Sequence, residues 1–277
     1  MNKSSPGSHT PRARKRFGQN FLKDESIVER IAQAIAPNAG DHLVEIGPGY
    51  GALTKALIDR VDRIDVIELD RDLAPYLLAA FSTKPQFHFH QGDALKFTYE
   101  SLAPSAASER CLRIVGNLPY NISTPLLFRL LDARNIILDM HFMLQLEVVK
   151  RLTAAPGDKL YGRLGVMIQY FCQTALLFEV PPDSFDPAPK VQSAIVKLTP
   201  RTHIDIVAQD FKHFESLVRQ AFSMRRKTLR NTLKPLFAVS SIEKALDTLE
   251  LSASLRPENL SVSQYVNLSN TLLQLDS

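Results

Sequence analysis

The chain has 277 residues, 45% apolar and 22% charged, with a net charge of +4 and two cysteines. That composition excludes disorder as the default and suits one large α/β domain with a smaller satellite. No apolar run approaches the roughly 18 to 20 residues of a membrane span, and the start lacks the hydrophobic segment of a secretory signal, so no membrane partner and a cytoplasmic location are expected.

In chain order, residues 1–16 carry Lys3, Arg12, Arg14, Lys15 and Arg16 and no acid, leaving −1 for everything else. They read as a flexible basic arm suited to phosphate contacts; two prolines and almost no large apolar residue rule out the amphipathic helix of a transit peptide. Apolar β-branched runs then alternate with helical patterns. "HLVEI" (42–46), "IDVIEL" (64–69), "QFHFH" (86–90), "LRIVG" (112–116) and "MHFMLQL" (140–146) are five expected strands, and the helices between them imply βαβ units and a parallel sheet covered on both faces. "ALLFEV" (175–180) and "SAIVKL" (193–198) are joined by a proline-rich segment too short for a helix, so they should pair antiparallel. The expected fold is thus α/β, with seven strands ending in a hairpin over residues 17–200. From 201 to 277 the strand pattern disappears, and "FKHFESLVRQAFSMRRKTLRNTLKPLF" and "SSIEKALDTLEL" predict a small helical domain. Cys111 and Cys172 lie far apart in apolar surroundings and read as buried free thiols, and no His/Cys spacing suggests a metal.

The first strand runs into "VEIGPGYGALT", which sets Gly47, Gly49 and Gly51 before a helix. Glycines there let the backbone approach a ligand and aim N–H groups at it from a helix N-terminus. The second strand ends in "IELD", placing Glu68 where a carboxylate accepts both ribose hydroxyls. The third ends in "QGDAL", placing Asp93 where it can accept from the exocyclic amine of an adenine. Either NAD or S-adenosyl-L-methionine offers that adenosine. The G-x-G-x-G spacing, preceded by Glu45, favours a ligand without a pyrophosphate.

"GNLPY" after the fourth strand decides between them. The Asn117 side-chain carbonyl and the Leu118 main-chain carbonyl can accept the two hydrogens of an exocyclic amine, localising a lone pair otherwise delocalised into the ring. Pro119 has no N–H and a fixed φ, so it stiffens the turn, and Tyr120 can stack on an extruded base at roughly 1 to 3 kcal/mol. Two acceptors, a rigid turn and an aromatic lid suit methylation of an amine by positioning, with no general base.

With these residues in view, the sequence resembles the ribosomal RNA adenine N6-dimethyltransferases of the small subunit (16S rRNA), relatives of the erythromycin-resistance methylases. The resemblance runs through "RKRFGQNFL", "EIGPGYGALT", "IELD", "GDAL", "GNLPYNIS", "FDPAPKVQSAIVKL" and "AFSMRRKTLRN". It implies a Rossmann-like seven-stranded methyltransferase domain, with Gln19, Asn20 and Leu22 joining Gly47, Gly49, Glu68, Asp93 and Asn117 around S-adenosyl-L-methionine. It also implies two methyl transfers to each of two adjacent adenines in a 3′-terminal hairpin, and makes Phe185 a second stacking ring opposite Tyr120. Arg225, Arg226, Lys227 and Arg230 are expected within one helix, with Arg226 and Arg230 on one face following phosphates. The implied partners are small-subunit rRNA and the assembling 30S particle, met by a monomer. A 23S-directed methylase and a non-catalytic nucleic-acid-binding relative are the competing readings.

Overall fold

A computed structural model describes residues 20–103, 110–224 and 226–275. The arm over 1–16, Gln19 and Arg225 lie outside the described residues. The chain first forms a two-residue strand, β1 (Phe21–Leu22), then helix α1 (Glu25–Ile35). Asp24 begins that helix by accepting from the N–H groups of Ser26 and Ile27, and Ala36 ends it in a left-handed turn at φ +48. The buried positions Ile31, Ala32 and Ile35 recur at three and four residues, the spacing of one helical face.

Strand and helix then alternate through β2 (His42–Ile46), α2 (Ala52–Leu57), β3 (Arg63–Glu68), α3 (Ala74–Phe81), β4 (Phe87–Gln91), β5 (Leu112–Asn117), α4 (Ser123–Asp132) and β6 (Ile137–Gln145). After α5 (Leu146–Thr153) and α6 (Arg163–Phe171) come β7 (Cys172–Val180), β8 (Phe185–Asp186) and β9 (Ser193–Pro200). Among the described residues the large sheet has seven strands in the order β4-β3-β2-β5-β6-β9-β7. The pairs β2 with β3, β2 with β5, β3 with β4 and β5 with β6 are all parallel. Strand order reverses between β2 and β5, so their carboxyl ends open the crevice where such sheets bind ligands. Leu43, Ile64, Val66 and Val115 are buried on the sheet, and Ile31, Ile35, Leu53 and Leu57 from α1 and α2 join the same cluster. Asp65 is buried on the sheet too. Burial pushes its carboxyl up, but hydrogen bonds from His42, His90 and Arg63 outweigh that and hold it below the usual carboxylate range.

All seven expected strands form, the sixth starting three residues before the apolar run read from sequence, at Cys172. Absent from the sequence reading were β1 and β8, which pair antiparallel with Phe21 opposite Asp186 and Leu22 opposite Phe185. Lys23 N–H extends the pairing to the Ser184 carbonyl at 2.9 Å. The compact units are also cut elsewhere than at residue 200. One takes in the chain up to Leu146 with Leu177–Lys197, and the other takes in Glu147–Leu176 with everything from Leu198. Cys172 is buried as expected, but Cys111 is only half-buried.

The second unit continues with α7 (Phe211–Ala221), α8 (Leu229–Leu233), α9 (Val239–Thr248) and α10 (Val262–Leu275), and it buries Phe214, Leu217, Leu233, Ile242, Leu246, Tyr265 and Leu272. The long helix expected through "AFSMRRKTLRN" is broken: α7 stops at Ala221 and α8 starts after Thr228, whose φ of −68 and ψ of 154 are extended. Arg226 and Lys227 therefore sit in a turn, with Lys227 N–H on the Met224 carbonyl, and share no helix face with Arg230. The Leu229 N–H bonds the Leu255 carbonyl instead of closing a helical turn. Among the described residues no helix is long and apolar enough to cross a membrane, and no group of side chains could hold a metal.

Candidate active site

A cavity of about 190 Å³ opens at the reversal point, lined by the ends of β2, β3 and β5, the glycine loop, β1 and the turn after β5. The loop residues Gly47, Gly49 and Gly51 have φ of +67, +60 and +77, a region that side-chain-bearing residues rarely occupy. A Cβ on Gly47 would meet nothing within 4 Å, so its backbone faces open space, whereas one on Gly49 would lie 2.8 Å from Phe21 Cδ1. Phe21 is thereby seated on the loop, its ring 4.4 Å from that of Tyr50. Asn20, Phe21 and Leu22 all line the cavity.

Glu68 ends β3 at the cavity wall, 6% exposed. Burial raises its carboxyl, and backbone N–H groups of Asp70 and Gly49 oppose the shift; the Asp70 bond is 2.8 Å. Asp93 lines the same cavity and takes the Leu95 N–H at 3.0 Å. Glu45 lies deeper, with Thr54 Oγ1 donating to it at 2.5 Å. Burial pushes its carboxyl up to about 7 against that hydrogen bond, and Glu68 adds to the rise.

On the other side, Asn117 Nδ2 donates to the Asn20 carbonyl at 2.8 Å. The amide is thereby oriented: its NH₂ end is engaged, and Oδ1 is left as an acceptor at the cavity wall. Leu118 is 1% exposed, and its N–H reaches the Met143 carbonyl at 3.3 Å, so the side chain anchors the turn while the peptide is held from below. The Pro119 carbonyl accepts from Ile122, and the Tyr120 carbonyl from Ser123 Oγ at 3.0 Å, which starts α4. The Tyr120 hydroxyl is 2.7 Å from Ser193 Oγ on β9. Burial raises that phenol despite this bond. Thus Asn20, Leu22, Gly47, Gly49, Glu68, Asp93, Asn117, Leu118, Pro119 and Tyr120 all meet at one cavity.

Phe185 does not. It is 1% exposed, belongs to the apolar cluster and is absent from the cavity lining, although its partner across the β1–β8 pair, Leu22, lines it. Arg230 is ion-paired, its Nη2 and Nε 2.6 and 2.8 Å from Glu243 Oε1. Among the lining residues to which the sequence assigns no role are His141 on β6 and Ile195 on β9. A lone histidine within an apolar strand gives no spacing signal.

The chain matches the family model described as ribosomal RNA adenine dimethylase over residues 10–274. It is 55% identical over 271 residues to ribosomal RNA small subunit methyltransferase A of Saccharophagus degradans, covering 98% of each chain. To the protein of that name from Pseudomonas aeruginosa it is 54% identical, over 95% of this chain and 96% of the relative. Among solved structures it resembles a dimethyladenosine transferase from Plasmodium falciparum, with a TM-score of 0.77, 27% identity, and coverage of 92% and 97%. It also resembles the 23S rRNA methyltransferase ErmE, with a TM-score of 0.72, 27% identity, and coverage of 92% and 100%. With that family model matched over nearly the whole chain and relatives above 50% identity, this chain belongs to the ribosomal RNA adenine dimethylase family.

Proposed function

We propose that the protein dimethylates the N6 amines of two adjacent adenines in the 3′-terminal hairpin of small-subunit (16S) rRNA, using S-adenosyl-L-methionine. It acts in the cytoplasm as a monomer on the assembling 30S particle. One observation carries the reading. The amide of Asn117, fixed by Asn20, opens into the same cavity as the glycine loop and the carboxylates of Glu68 and Asp93.

The residues fit the cofactor. Gly47 leaves room for a ligand against its backbone, Glu68 offers a carboxylate to paired ribose hydroxyls, and Asp93 an acceptor to the adenine amine. Asn20, Leu22 and Gly49 complete that edge, with Gln19 beside them in sequence. When bound, S-adenosyl-L-methionine supplies an electrophilic methyl group on sulfur. Asn117 Oδ1 and the Leu118 carbonyl hold the amine by its two hydrogens and keep its lone pair out of the ring, aimed along the bond to be broken. Pro119 and the Leu118 N–H fix the turn that presents this carbonyl. Tyr120, pinned through its hydroxyl to Ser193, covers one face of the base. Phe185 pairs with Leu22 and holds β1 at its edge, and no stacking role is assigned to it. Catalysis is then positioning, and the proton of the methylated amine leaves to water.

The second unit docks the enzyme on the ribosomal particle, with Arg226 and Lys227, beside Arg225, meeting phosphates. Small subunits lacking the modification, incubated with methyl-labelled cofactor, should take up label at two adjacent adenines near the 3′ end of 16S rRNA. Label confined to 23S rRNA would assign the activity named for the ErmE neighbour instead. No label, together with no heat on cofactor titration, would leave a nucleic-acid-binding protein without chemistry.

A further inference from the structure

On β6, His141 stands opposite Val115, one side-chain repeat before the pairing of Met143 with Asn117. Its side chain is fully buried and lines the cavity. Among the described residues neither Nδ1 nor Nε2 has a hydrogen-bond partner. Asp139 Oδ1 comes to 3.7 Å of Nδ1, beyond hydrogen-bond range. That carboxylate is already gripped by Arg113 through Nε and Nη2, both at 3.0 Å, and Lys197 Nζ lies 3.5 Å away. Burial pushes the imidazole down to about 4; Asp139 opposes the shift, while Lys197 and Arg113 add to it. The ring is therefore neutral at physiological pH, with one N–H and one lone pair, both unmatched. Buried polar groups are rarely left so, and those that are tend to mark functional sites.

The lining residues fall into two groups by strand. Gly47, Glu68 and Asp93 come from β2, β3 and β4 or the loops after them, and Asn117, Met143, His141 and Ile195 from β5, β6 and β9. His141 thus lies on the strand paired with the one that ends in Asn117, beside the amine acceptors. We propose that His141 hydrogen-bonds the ring edge of the target purine, so that the base gripped at its amine by Asn117 and Leu118 is held at a second point. The amine of adenine is flanked by two ring nitrogens, both acceptors, and an imidazole N–H is the donor that matches them. Since neither ring nitrogen is committed elsewhere, the base selects the tautomer. The proposal rests on the rRNA adenine reading above.

An orphaned polar group should cost stability and return it in binding, so stability and activity are expected to move in opposite directions. His141→Leu should melt at the same or a higher temperature and bind the cofactor unchanged by calorimetry. It should lose on the order of tenfold in kcat/KM on unmethylated small subunits, the worth of one hydrogen bond. His141→Gln, which restores an N–H donor, should recover part of the loss. Wild-type turnover in His141→Leu would overturn the proposal, and so would a loss of cofactor affinity, which would give the ring to the cofactor. If the leucine variant does not fold, a folded glutamine variant with weakened cofactor binding, or with turnover no better than that of Asn117→Ala, would overturn it likewise. If the unaltered protein labels no adenine in small subunits, the functional reading fails instead, whatever the His141 variants do.

Discussion

Asn117 and Asn20 are 97 positions apart in the chain and joined by a 2.8 Å hydrogen bond from side-chain amide to main-chain carbonyl. The bond ties the turn after β5 to β1 and settles which end of the Asn117 amide faces the cavity. Asn117→Ala should keep cofactor affinity within a few-fold while methyl transfer falls by about 100-fold or more, the usual cost of removing one acceptor from a reacting group. Asn117→Asp should fare no better, since a carboxylate cannot donate to Asn20 and would be held against its carbonyl. Single-turnover transfer measured beside calorimetric cofactor binding checks both, and normal turnover in either variant would remove the role given to this side chain.

Gly49 carries two constraints at once, its φ of +60 and the Phe21 ring 2.8 Å from where a Cβ would stand. Gly49→Ala should destabilise the protein by about 1–3 kcal/mol from backbone strain and weaken cofactor binding by displacing β1. Adding Phe21→Ala should restore part of the stability by removing the overlap but not the strain. Thermal melts of the two single variants and the double variant test this, and strict additivity would mean Phe21 does not rest on the loop.

Much of this was legible in the sequence, for reasons that separate it from the rest. The runs that became β2 to β6 are long enough to show buried-strand character, and glycines and acids at strand ends mark a cavity because topology puts strand ends together. β1 and β8 were not legible: two residues carry no alternation, and they exist because Leu22 and Phe185 find each other across the fold. The motif that makes Phe185 a stacking ring carries no information on which way the ring faces, and the ring packs into the apolar cluster. The turn at Arg226 and Lys227 escaped because apolar positions on both sides keep a helical spacing, while the break is made by Leu229 bonding to Leu255. The grouping of α5 and α6 with the C-terminal helices is a tertiary choice that no local pattern encodes.

Glu45 gives a pH dependence with a definite sign. Its native carboxyl titrates at about 7 against an ordinary value of 4.5. Between those values the native state keeps a proton that the unfolded chain has released, so stability falls as pH rises through the window. Glu45→Gln should remove that component, and its melting temperature, relative to the unaltered protein, should gain several degrees from the acid to the neutral end. Parallel melting curves for the two proteins across the window would show that Glu45 titrates normally.

Arg226 and Arg230 should behave differently in RNA binding. Arg230 is already neutralised by Glu243, whereas Arg226 is exposed in the turn. Arg226→Ala should weaken binding to small subunits and reduce the slope of log affinity against log salt by roughly one; Arg230→Ala should leave the slope nearly unchanged. Filter binding at several salt concentrations checks this, and equal slope changes would mean that Arg230 leaves Glu243 for a phosphate.

The pairing of β1 with β8 sets an order of events during synthesis. Residues 21–22 leave the ribosome early, but their ladder partners at 185–186 follow only when about two thirds of the chain has been made. Until then the segment that closes the cavity has no edge to bind. A nascent chain short of that length therefore lacks the β1–β8 ladder, and the part of the cavity wall that β1 supplies is completed late in translation.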